Sequence, residues 1–202
     1  MNIQTEITHL NVFMGWSTKL REHIGILATD SKGKIGFEFS TSALAENRTN
    51  MSPYKLNKSL GVQIASTQRT SFNGLFGVFS DSLPDGWGML LMERAFRKLG
   101  RTIQSASPLS QLAYLGANGM GALEYEPCTR DNQALTEKVN LASLYADTRK
   151  VLNRDSKEVL QELIALGGSP GGARPKVTIF IDASKISGTA IPATFILARI
   201  CF

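Results

Sequence analysis

Hydrophobic and polar positions alternate most cleanly in Ile35-Gly36-Phe37-Glu38-Phe39. This period of two predicts a strand with Ile35, Phe37 and Phe39 on one buried face. Shorter apolar stretches at Leu10–Val12 and Ile24–Leu27 predict two earlier strands, and Asp30-Ser31-Lys32-Gly33 has turn composition ahead of the third. The three together predict a small antiparallel meander. From residue 41 to about 74 the pattern is lost, and the chain reads as polar and irregular, with Pro53 among scattered Ser, Thr and Asn.

A helical period then sets in. Leu83-Pro84-Asp85-Gly86-Trp87-Gly88 opens a helix that runs to about Leu99 and stops at Gly100. Trp87, Leu91, Ala95 and Leu99 form an i, i+4 ridge, widened by Met92 and Phe96, while Arg94, Arg97 and Arg101 take the opposite side. A shorter helix is predicted from Pro108 to Leu115, a glycine-rich turn over 116–121, and a strand from Ala122 to Glu126 that Pro127 ends. After a polar linker (129–139), Asn140 is placed to cap a helix to Leu152. Asp155 and Glu158 have capping-box spacing for another that ends at Gly167. Val177-Thr178-Ile179-Phe180-Ile181 predicts a final strand.

Composition adds limits. At 202 residues the chain suffices for one large or two small domains, and its 43% hydrophobic and 19% charged residues are those of a globular protein. A net charge of +5 permits an anionic partner without demanding one. No lysine or arginine tail supports a general nucleic-acid coating role. Cys128 and Cys201 lack metal-ligand spacing, which fits a reducing cytoplasm. The opening residues have neither a basic nor an apolar leader region, and no apolar run approaches the ~18 residues that span a bilayer. A cytoplasmic chain with no membrane partner is expected.

The densest candidate chemistry is Gly167-Gly168-Ser169-Pro170-Gly171-Gly172-Ala173-Arg174-Pro175-Lys176. Four glycines let a backbone approach a ligand closely, and two cations follow them. The G-x-S-x-G match to a serine hydrolase fails, because that elbow joins strand to helix whereas here a helix precedes and a strand follows. Pro170 also has no N–H for an oxyanion hole, and His9 and His23 both come earlier in the chain. A Walker loop fails on spacing, and G-x-G-x-x-G is missing. Two readings stay open. The loop covers nucleotide phosphates between β-elements, or it is a plain Gly-Pro connection from helix to strand.

Elsewhere the ordinary reading leads. His9 and His23 have no third ligand in view and read as surface or half-buried strand residues. Asp81 and Asp85 read as helix-start and N-capping residues, and Trp87 and Tyr125 as core. Arg94, Arg97 and Arg101 read as a solvated helix face, with a contact face as the alternative.

Taken in order, several motifs resemble the HipA family of bacterial serine/threonine kinases, the toxin halves of type II toxin–antitoxin operons. They are Leu10-Asn11-Val12-Phe13 and Gly25-Ile26-Leu27, then Asp81-Ser82-Leu83-Pro84-Asp85-Gly86-Trp87-Gly88 with Arg97-Lys98-Leu99-Gly100-Arg101. Pro108-Leu109, Leu112-Ala113-Tyr114-Leu115-Gly116, Gly119-Met120-Gly121-Ala122-Leu123-Glu124-Tyr125 and the glycine loop follow. The ordered set runs from about residue 7 to residue 182.

The resemblance implies a small N-terminal antiparallel β meander followed by helices, then a Gly-rich loop and the start of a kinase-like lobe. The division falls into an N-terminal α+β region (1–128) and a second part (129–202) holding the linker, two helices, the loop and the start of that lobe. It implies Mg²⁺ and ATP as cofactors, with Gly168, Ser169, Gly171, Gly172, Arg174 and Lys176 at the nucleotide. It further implies regulatory phosphorylation of Ser169, aminoacyl-tRNA synthetase substrates and restraint by a DNA-binding antitoxin. No direct nucleic-acid contact of the chain itself is expected.

The chain departs from the family after Asp182, its last carboxylate. No catalytic Asp and no metal-holding Asp follow, and residues 183–202 lack the family's character. The expectation is therefore a HipA-type N-terminal part cut short near the glycine loop, without a complete active site. The alternative is a binding module that regulates a kinase or antitoxin by contact. A third option is a gene fragment whose last strand is left unpaired.

Overall fold

The computed structural model describes residues 6–17, 20–45, 51–52, 56–65, 72–119, 121–130, 176–182 and 195–201. The chain divides into two units, Met1–Leu83 with Leu99–Asp131, and Pro84–Lys98 with Asn132–Phe202.

In the first unit the meander is present and longer than its apolar cores alone suggest. Strand β1 (His9–Ser17) pairs antiparallel with β2 (Leu20–Thr29), and β2 with β3 (Ile35–Phe39). At the β2–β3 turn the Asp30 carboxylate accepts the N–H groups of Lys32 and Lys34, each at 2.8 Å, and Gly33 supplies the positive φ of 77°. A short helix α1 (Thr41–Ala45), capped by Ser40 Oγ on the Ala43 N–H at 3.1 Å, leads toward β4 (Gln63–Ile64), which joins the free edge of β3. Helix α2 (Gly77–Ser80) comes next. Among its described residues, the stretch expected to be irregular from 41 to about 74 thus holds one helix and one strand. Five and two residues are too few to display a hydrophobic period.

Alternation fixes which face of the sheet is covered. Leu10, Val12, Leu27, Ile35, Phe37 and Phe39 are all buried, while Glu38 is exposed, as the period of two requires. Phe37 lies 5.0 Å, centroid to centroid, from both Phe39 and Phe79, so α2 contributes an aromatic to this core. Gly25 is obligatory here, because a Cβ would overlap the Glu38 carbonyl and the Phe37 ring.

The chain returns to this sheet through α4 (Pro108–Leu115) and β5 (Leu123–Glu126). Ser107 caps α4 by accepting the Ser110 N–H at 3.2 Å, Pro108 occupies the first turn, and Gly116 closes the helix at φ 58°. Every residue from Leu109 to Leu115 is buried, so α4 is an interior helix packed on β1, β2 and β5. Gln111 is kept satisfied there by donating to the Ala106 carbonyl at 3.2 Å. β5 pairs with β1, completing an antiparallel sheet in the order β4-β3-β2-β1-β5. The architecture is α+β with an N-terminal meander.

In the second unit, helix α3 (Gly86–Lys98) buries Trp87, Leu91, Met92, Ala95 and Phe96 as the ridge predicts. Leu99 departs from the ridge. It lies past the helix end, 44% exposed, because Gly100 at φ 72° turns the chain. Strand β6 (Lys176–Asp182) contains the predicted Val177–Ile181 and pairs antiparallel with β7 (Phe195–Cys201), Lys176 facing Cys201 and Asp182 facing Phe195. The last strand is therefore paired, which corrects the option of an unpaired terminal strand. The helices predicted over 140–167 lie outside the described residues. Among the described residues no helix is long and apolar enough to cross a membrane.

Candidate functional site

Of the six residues expected at the nucleotide, Gly168, Ser169, Gly171, Gly172 and Arg174 lie outside the described residues. Lys176 is the first residue of β6, the strand predicted after the glycine-rich stretch.

The best-defined polar constellation lies on the sheet. Arg21 of β2 donates its Nε–H to Glu124 at 2.6 Å and sets a second nitrogen 2.8 Å from Glu126, both carboxylates belonging to β5. Its guanidinium stacks 3.7 Å above the Phe13 ring, which in turn lies 5.1 Å from the His23 ring. Between β2 and β5 runs β1, and Gly15 leaves the gap that the Glu124 carboxylate fills, since a Cβ there would collide with it. Burial alone would lower the Arg21 pKa, but the two glutamates outweigh it and hold the pKa above its usual value. A guanidinium engaged this way is a clamp across β1; its hydrogen-bonding capacity is directed at β5.

A second pair is buried. Ser82 Oγ and Tyr125 Oη are 2.6 Å apart, with Tyr125 only 1% exposed. Burial pushes the Tyr125 pKa up, against the smaller opposing pull of the Ser82 hydrogen bond. The bond ties the Asp81-Ser82-Leu83 segment to β5, which gives that motif a structural reason. Near the end of α4, Cys128 is a half-buried free thiol, and the Arg130 guanidinium stands 5.7 Å from the Tyr114 ring centroid. Burial lowers the Arg130 pKa, partly offset by Tyr114 and Cys128.

The remaining candidates resolve into structural positions. His9 is exposed and His23 half-buried on their strands, as expected. Among the described residues no group of three His, Cys, Asp or Glu could hold a metal ion. Asp85 immediately precedes α3, and its carbonyl accepts the Met89 N–H at 3.3 Å, a helix-start role. Asp81 instead closes α2 as its C-cap, correcting its reading as a helix-start residue. Trp87 is core, 2% exposed. The three arginines do not form one uniform face: Arg97 is exposed and paired with Glu93 at 2.5 Å, whereas Arg94 and Arg101 are half-buried.

The Arg21 clamp and the Ser82–Tyr125 bond escape a sequence reading because their partners are 103 and 43 positions apart. Only the strand order brings them together.

No curated protein matches the chain. A family model, the HipA N-terminal domain, matches residues 17–126, which takes in the sheet from β2 to β5, the intervening helices and both ends of the Ser82–Tyr125 bond. With more than half of its length matched, the chain belongs to the HipA N-terminal domain family.

Proposed function

We propose that this chain is a HipA-like component of a toxin–antitoxin system whose family activity is ATP-dependent phosphorylation of protein serine or threonine, and that residues 1–202 alone do not complete that reaction. The match to the HipA N-terminal domain over 17–126 carries this reading. The glycine loop supports it, since Gly168, Ser169, Gly171 and Gly172 supply backbone N–H groups, and Arg174 and Lys176 positive charge, for the phosphates of Mg²⁺-ATP. Phosphoryl transfer also needs carboxylates that hold Mg²⁺ and orient the nucleophile. Asp182 is the last carboxylate of the 202 residues, and no catalytic residue is assigned.

A phosphoryl group on Ser169 would add about −2 charge where the ATP phosphates sit, and so act as an off-switch. The partners proposed are a DNA-binding antitoxin and an aminoacyl-tRNA synthetase substrate, met in the cytoplasm. Titration calorimetry of the 202-residue chain with Mg²⁺-ATP, beside Ser169→Asp, tests the loop. Saturable binding abolished by the variant is expected of a working phosphate site. Absence of heat from both proteins would remove ATP from the reading. Phosphorylation of a synthetase by the pure chain would overturn the incomplete active site.

A second reading is favoured by the extent of the match, which ends at residue 126, well before the glycine loop. On that reading the chain is a non-catalytic binding module that regulates a kinase or antitoxin by contact. Co-purification of a DNA-binding antitoxin or a HipA-type kinase with the tagged chain is the expected result. A monomer that retains neither would count against it.

A further inference from the structure

We draw no further inference here: the strongest candidate, the exposed apolar strip of Leu60, Val62 and Ile64 at the β4 edge of the five-stranded sheet, carries nothing because nothing in the structure shows what covers it.

Discussion

Tyr125 places a hydroxyl where a charge is unwelcome, and the consequence can be read as a pH dependence. Its folded pKa lies above the value of about 10 expected in the unfolded chain, so the folded state holds its proton longer. The associated stability is fully present below about pH 10 and is lost as pH rises past it, because the unfolded chain then releases the proton first. Urea midpoints measured from pH 8 to pH 11.5 should fall above pH 10, and Tyr125→Phe should flatten that fall. Tyr114, also buried and shifted upward, accounts for the slope that remains. At neutral pH the same substitution leaves Ser82 Oγ buried without its partner, at a cost of about 1–3 kcal/mol. Adding Ser82→Ala should recover part of that loss; strict additivity would show that the bond contributes nothing. That Tyr125 is core was legible from its large aromatic side chain, but its bond to Ser82 was not, because a hydroxyl carries no sequence mark of its partner.

Helix α4 shows which elements a sequence displays well. Ser107 and Pro108 mark its start, Gly116 its end, and the structure agrees with both. Strand β3 was equally plain from its alternation, whereas α1, β4 and α2, at five, two and four residues, offer no period to detect. The end of α4 also has a steric requirement that composition hides: a Cβ on Gly116 would lie 2.5 Å from Cys128 Sγ, on a backbone already at φ 58°. Gly33 provides the control, with φ 77° and nothing within 4 Å of the same added atom. Gly33→Ala should cost about 1 kcal/mol for left-handed backbone alone. Gly116→Ala should cost clearly more, about 2–4 kcal/mol, as strain and overlap add. Equal losses in thermal unfolding would mean that Cys128 moves aside freely.

At the scale of the molecule, the Arg21 clamp joins a strand near the start of the chain to the strand that closes the sheet, 103 positions later. Because Arg21 and its carboxylates are partly exposed, the stabilisation is about 1 kcal/mol and is screened by salt. Arg21→Met should lower the urea midpoint in low salt, with the difference from the native chain shrinking at 1 M NaCl. A salt-independent loss would assign the effect to packing on Phe13 instead. Of the candidate site, the sequence displays composition and order: glycines, two cations and a strand beyond them. Which side chains meet depends on strand order and on partners far apart in sequence, as the clamp itself illustrates. The division of the chain has a genetic consequence. The polypeptide leaves the first unit after Leu83 and rejoins it at Leu99, so the first unit is not one uninterrupted stretch of coding sequence. A recombination event that moves codons 17–126 as a block therefore always carries α3 of the second unit together with β2 to β5 of the first.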